Sequence, residues 1–111
     1  MTQITYNDFK KLEMCVGQIK EVERVPDSDK LYKMQVDVGK EKPIQIVTSL
    51  VDFYSLEELK DKKIVVLVNL EPVKLRGETS NGMLICAETA DESKVVLLEP
   101  EKDIENGAKI T

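Results

Sequence analysis

Hydrophobic positions along this chain change period several times, and each change marks an element. Thr5-Tyr-Asn-Asp8 has the form of a capping box with Asp in place of Glu, which predicts a short helix over Tyr6 to Lys11. Val16, Ile19 and Val22 then suggest a first strand, bent or bulged at Gly17. After the turn chemistry of Val25-Pro-Asp-Ser-Asp29 comes the cleanest alternation in the sequence. Tyr32, Met34, Val36 and Val38 fall on one face while Lys33, Gln35 and Asp37 fall on the other, as in a half-buried strand. Gly39 to Pro43 reads as a hairpin turn, and Ile44, Ile46 and Thr48 continue on one face of a third strand. Ser55-Leu-Glu-Glu58 is a second capping box, opening a helix with Leu56 and Leu59 that is over by the Lys60 to Lys63 charge run. Ile64 to Leu70 is apolar on both faces and reads as a central strand. Gly82 to Ala87 predicts a fifth strand, and Val95 to Leu98 a further short one before Pro100.

Three strands, a helix, then two strands, with glycine in the first strand, is the order of the OB-fold. The expected architecture is therefore all-β: a five-stranded Greek-key barrel with a short helix between strands three and four, extended by an N-terminal helix and a C-terminal strand. An SH3-like barrel competes, but would not place a capped helix between those strands. Barrels of the OB type commonly bind oligonucleotides on one face and its rim loops.

Composition narrows the picture. A chain of 111 residues has the size of one domain, so a single unit over 1–111 is expected. With 41% hydrophobic and 33% charged residues it has a soluble, globular balance. No apolar run approaches the roughly 20 residues that cross a bilayer. The opening MTQITYNDFKK lacks the pattern of a secretory signal, and a cytoplasmic location is expected. Cys15 and Cys86 form no C-x-x-C pair, and the chain has no histidine. That removes the Ser-His and Cys-His nucleophiles and the commonest metal ligand, so neither enzyme chemistry nor a cofactor is expected. The net charge of −5 is local: from Glu88 to Glu105 seven acidic residues face two lysines, and the remainder of the chain is balanced. An acidic total thus leaves room for a basic patch elsewhere.

The candidate chemistry lies between Asn69 and Met83, NLEPVKLRGETSNGM. In extended backbone Lys74 and Arg76 project to one side while Leu75 can turn inward, and two cations on one side suit phosphate oxygens. Gly77 and Gly82 permit close backbone approach, and Ser80 supplies a donor. Asn69 offers a planar amide and Met83 a polarizable thioether that could pack on a base. Structural readings compete at every position. Lys74 and Arg76 could be solvated charges neutralised by Glu71 and Glu78, the glycines ordinary turn residues, Met83 core, and Asn69 a cap of its own backbone. Asp27-Ser28-Asp29 near Asp37 could hold magnesium, but after Pro26 it is ordinary turn chemistry; Lys30 at the turn exit is better placed for phosphate.

Four ordered segments carry a resemblance: Val16-Gly17-Gln-Ile19, Pro26-Asp-Ser-Asp-Lys-Leu-Tyr32, Asn69-Leu-Glu-Pro-Val-Lys-Leu-Arg-Gly77 and Ser80-Asn-Gly-Met-Leu84. Together they resemble the tRNA-binding OB domain found at the C-terminus of methionyl-tRNA synthetases, in free-standing tRNA-binding proteins and in auxiliary factors of synthetase complexes. The resemblance implies structure-selective tRNA binding by a homodimer, in the manner of a synthetase β-subunit. It implies tRNA contacts at Lys30, Asn69, Lys74, Arg76, Ser80, Gly82 and Met83. It also implies a dimer contact through residues 1–13 and 89–111, with Tyr6, Phe9, Val95 and Leu97. A secretion-chaperone branch of the same fold, which holds peptides in the dimer groove, is the alternative. That branch generally lacks the Lys-Leu-Arg-Gly and Ser-x-Gly-Met pattern present here.

The sequence departs from that family in charge. Cys15 stands where a basic residue commonly precedes Val-Gly, and Glu71 and Val73 flank the loop where lysine or arginine is frequent. Each neutralised phosphate contributes roughly 0.7 to 0.9 to the salt slope, so a protomer with few cations binds weakly and a dimer presenting about six binds usefully.

Overall fold

The computed structural model describes residues 1–111. The barrel is one antiparallel sheet in the order β3-β2-β1-β4-β7, formed by β1 (Met14–Arg24), β2 (Tyr32–Asp37), β3 (Ile44–Thr48), β4 (Lys63–Leu67) and β7 (Met83–Leu84). Two helices flank it, α1 (Tyr6–Lys10) and α2 (Leu56–Leu59), and α2 sits between β3 and β4 as expected. Two small ribbons complete the chain, β5 (Val73–Leu75) with β6 (Glu78–Ser80), and β8 (Cys86–Glu88) with β9 (Val95–Leu97). The barrel is nearly closed where β3 meets the end of the second ribbon strand, through Asn81 N donating to Gln45 O at 2.8 Å. This is the OB-like barrel that the order of elements predicts.

Both capping boxes form. Thr5 and Ser55 each accept from the amide three residues on, and Asp8 and Glu58 return the bond to the cap backbone. The alternation of β2 is also realised: Tyr32, Met34, Val36 and Val38 are buried and join Ile19, Ile46, Leu59, Ile64, Val66 and Leu84 in one core.

β1 is long because it serves two neighbours, pairing with β4 over Met14 to Gln18 and with β2 over Gln18 to Arg24. The bulge that lets it turn falls between Ile19 and Glu21, and not at Gly17. Gly17 instead marks close packing: a Cβ there would stand 2.8 Å from both Val36 Cγ1 and Val66 Cγ2. Three other expectations shift. The central strand ends at Leu67, leaving Leu70 exposed. The fifth strand is broken at Ile85, whose amide donates to Val65 O while its carbonyl accepts from Leu98 N, so β7 stays in the barrel and β8 leaves it. And the segment after β4, to which the sequence assigns no strand, contains the β5–β6 hairpin.

The C-terminal segment returns to the barrel. Gly107 N donates to Val16 O at 2.7 Å, Val16 N to Ala108 O at 2.9 Å and Ile110 N to Met14 O at 3.0 Å, adding a further edge beside β1. No helix is long and apolar enough to cross a membrane.

Candidate nucleic-acid interface

The hairpin β5–β6 turns on Arg76 and Gly77, with φ of +52° and +82°. Positive φ at both turn positions is the signature of the tight turn whose twist matches antiparallel strands. Glycine supplies it freely at Gly77; Arg76 adopts a left-handed backbone that arginine rarely takes. The two cations are therefore not on one extended edge as the sequence suggests. Lys74 stands in the strand and Arg76 at the tip, and both are exposed with no ion-pair partner. Glu78 is not available to neutralise them. It faces Lys33, which lies between Glu78 at 3.4 Å and Glu23 at 3.2 Å. Glu23 foremost, with Glu78 behind it, raises the Lys33 pKa against the cost of its partial burial.

The root of the hairpin is fixed from below. Leu75 turns inward and packs on a small second core of Val25, Leu31 and Val47. That cluster gathers the Pro26–Lys30 turn and the hairpin onto one side of β3. Gln35 Nε2 donates to Gln45 Oε1 at 3.0 Å, and Gln45 Nε2 to Thr79 O at 2.9 Å, carrying the attachment across β2 and β3. Beside the hairpin an open groove of about 730 Å³ is lined by Lys30, Thr48, Ser49, Phe53, Leu75 and Met83 among others. Lys30 and Met83 are exposed on its wall, so Met83 is a surface residue and not core. Thr48, Ser49 and the half-buried Phe53 were not singled out in the sequence. Phe53 follows β3 in an irregular segment with no period to betray it.

Three of the sequence-suggested contacts have their polar groups turned to the chain itself. Ser80 is 3% exposed; its hydroxyl accepts from Val47 N at 3.0 Å and donates to Gly82 O at 3.1 Å. Gly82 is buried, where a Cβ would stand 2.9 Å from Leu67 O, so its lack of a side chain serves close packing against β4. Asn69 has both ends of its amide engaged, Oδ1 accepting from Glu13 N at 3.0 Å and Nδ2 donating to Lys11 O at 2.7 Å. Ser80 and Gly82 are buried and Asn69 is exposed with its amide engaged by Lys11 and Glu13, while Lys30, Lys74, Arg76 and Met83 expose side chains free of such bonds.

The residues suggested for a dimer contact divide likewise. Tyr6 is 73% exposed and stacks with the half-buried Phe9 at 6.5 Å between ring centres. Leu97 is only 6% exposed and belongs to the protomer's own core, against which Val95 also packs. The strand presents Val96 and Leu98 outward instead, at 52% and 43% exposure.

The thiols of Cys15 and Cys86 are free and half-buried, and burial raises the pKa of each. Neither is a poised nucleophile.

Comparison with known proteins places this geometry. The chain is 49% identical over 107 residues to the methionine–tRNA ligase of Methanocorpusculum labreanum, covering 96% of this chain and 15% of that protein. It thus spans about 15% of the length of such relatives. Among solved structures, the MetRS related protein from Pyrococcus horikoshii superposes with a TM-score of 0.93 at 39% identity, covering all of both chains. The CsaA chaperone protein from Picrophilus torridus superposes at 0.87 and 34% identity, covering 98% of this chain and 100% of that one. A family model described as "Putative tRNA binding domain" matches residues 14–109, and the chain belongs to that tRNA-binding domain family.

Proposed function

We propose that this protein is a non-catalytic, structure-selective tRNA-binding protein that acts as a homodimer and serves as a β-subunit-like accessory to methionyl-tRNA synthetase. The observation that carries the reading is the pair of unpaired cations, Lys74 and Arg76, on a hairpin rigidly footed beside Lys30 and an open groove. Phosphates meet Lys30, Lys74 and Arg76, while Met83 and Phe53 offer soft apolar surface to an unstacked base. Ser80 and Gly82 support that surface from beneath, and Asn69, exposed at the end of the strand before the hairpin, ties that strand to Lys11 and Glu13. The exposed Tyr6 and Leu12 of the N-terminal segment and the exposed Val96 and Leu98 of the C-terminal strand region supply apolar surface for a second copy. Dimerisation doubles a cation count that one protomer keeps low. The relation to methionine–tRNA ligases supports a synthetase as the partner.

A filter-binding assay with total tRNA at low and moderate salt tests the proposal. Binding that weakens steeply with salt is expected, and absence of binding at low salt overturns it. Co-purification of a synthetase from native lysate tests the accessory role.

A peptide-binding chaperone dimer is the second reading, favoured by the likeness to CsaA and by the apolar part of the groove. Unfolded peptide that binds without being displaced by tRNA would favour it.

A further inference from the structure

Cross-strand partners in an antiparallel ribbon share a face, so the pairs Cys86–Leu97 and Glu88–Val95 lie on one side of β8–β9 and Ala87–Val96 on the other. The first side is the inward one: Leu97 belongs to the core, and Cys86 and Val95 pack against it. Glu88 thus shares the inward face with three apolar side chains, while the apolar Val96 is exposed on the opposite face. A charge there breaks the alternation of the strand. The Glu88 carboxylate forms no ion pair, so nothing inside the fold compensates for it. It stands near enough to the Cys86 thiol to add to the rise in pKa that burial causes there. A local rule broken without an internal partner is the pattern of a functional position.

Cys86, Glu88 and Val95 line the open groove beside the hairpin, which Lys30 and Leu75 line from the side of the Pro26 turn and the hairpin. Met83, Leu84 and Phe53 add apolar surface. One groove therefore combines a cation, a soft apolar wall and an unpaired carboxylate. Among the four RNA bases, only guanine sets two N–H donors side by side on its Watson–Crick edge, N1–H and N2–H, and a carboxylate accepts both. Adenine and cytosine place an acceptor next to their amino group, and uracil flanks its one donor with two carbonyls. Each of these sets a lone pair against the carboxylate.

We propose that the groove takes one unpaired guanine of the bound RNA, with Glu88 accepting from N1–H and N2–H, Met83 and Phe53 against the base, and Lys30 toward a flanking phosphate. This rests on the tRNA-binding reading above, and it needs only one protomer. The negative charge of Glu88 disfavours every RNA phosphate near it, and only guanine offsets that repulsion, so the residue adds selectivity at the expense of general affinity.

Fluorescence anisotropy of the full chain with short single-stranded RNAs tests the proposal. The strands are all-uridine, or all-uridine with one central guanosine, inosine, adenosine or cytidine. The guanosine strand is expected to bind about 10-fold more tightly than all-uridine, within the range of a good bidentate base contact. Inosine keeps N1–H and lacks the N2 amino group, so its strand is expected between the two. Glu88→Gln is expected to bring the guanosine-to-uridine ratio close to one, whereas Lys30→Ala weakens both strands and keeps the ratio. Asp52 and Glu92 are the other carboxylates of the lining, and Asp52→Asn and Glu92→Gln are expected to keep the ratio too. Equal binding of the guanosine and uridine strands, inosine equal to guanosine, or a ratio that survives Glu88→Gln would each overturn the proposal. A ratio lost in Asp52→Asn or Glu92→Gln overturns the assignment to Glu88. If Glu88→Gln does not fold, the inosine comparison on the unaltered chain decides. A chain that binds tRNA but none of the short strands overturns the groove as a base site and leaves the reading of the preceding section standing; one that binds neither overturns both.

Discussion

Ser80 Oγ accepts the amide proton of Val47 at 3.0 Å in a position almost without solvent, and so fastens the exit of the hairpin to β3. The hydroxyl in turn donates a hydrogen bond to Gly82 O at 3.1 Å, satisfying a second buried group. Removing it leaves a buried N–H without a partner, which costs about 1–3 kcal/mol. Ser80→Ala is therefore expected to lower the urea midpoint and to weaken tRNA binding only as far as the hairpin loosens. A chain whose midpoint does not move but whose tRNA affinity falls would mean that Ser80 touches RNA directly.

Lys74→Ala and Arg76→Ala test the outward face. Neither side chain has a partner in the fold, so stability should hold within the few tenths of a kcal/mol usual for surface changes. Binding should fall, and the slope of log K against log salt should shrink by roughly 0.7 to 0.9 for each phosphate contact removed. Lys33→Ala, by contrast, strips the partner from Glu23 and Glu78 and should loosen the hairpin root without that signature in the slope. If the slope is unchanged by both outward substitutions, the hairpin is not the phosphate contact.

What the sequence made legible follows from the range of the interactions. The capping boxes and the alternation of β2 are local, and both appear where the residue pattern puts them. The side chains whose roles changed are satisfied across the fold. Asn69 meets Glu13 from 56 positions away and Ser80 meets Val47 from 33, so nothing beside them in sequence announces that their polar groups are taken. The hairpin was missed because its turn is Arg-Gly where Asn-Gly is the usual signal, although glycine in the second position was a hint. Val95 to Leu98 is uniformly apolar, so the pattern gives a strand without a phase, and only the packing of Leu97 on the core shows which face is free.

That phase has a consequence. Leu97→Ala empties a place in the protomer's own core and should cost about 2–5 kcal/mol in chemical denaturation. Val96→Asp with Leu98→Asp alters exposed positions and should leave the protomer folded while shifting a dimer to monomer in sedimentation. Should Leu97→Ala dissociate a dimer without destabilising the protomer, the assignment of the two faces is reversed.

Asp37 gives the fold a defined response to acid. Its Oδ1 accepts from Gly39 N at 2.8 Å and its Oδ2 from Asn106 Nδ2 at 3.1 Å, and Asn106 also donates to Gln18 at 3.2 Å. The carboxylate thus locks the β2–β3 turn and the returning C-terminal segment together, where the backbone of Gly39 and Gly107 is in close contact. The Gly39 amide first, and Asn106 second, lower the Asp37 pKa below its ordinary value against some cost of burial, with help from Lys20 and Lys63. A carboxylate that ionises more easily folded than unfolded stabilises the fold fully above the unfolded pKa, about 4, and loses that contribution as pH falls through the lowered folded value. Asp37→Asn cannot titrate and turns a donor toward the Asn106 amide. The wild-type chain should therefore exceed Asp37→Asn in urea midpoint at neutral pH, and the gap should narrow as the pH falls below about 4. Exchange of the Gly107 and Ile110 amides, which bond to β1, should quicken in the same window in the wild type. A gap that stays constant down to strong acid would show that Asp37 acts through its shape and not its charge.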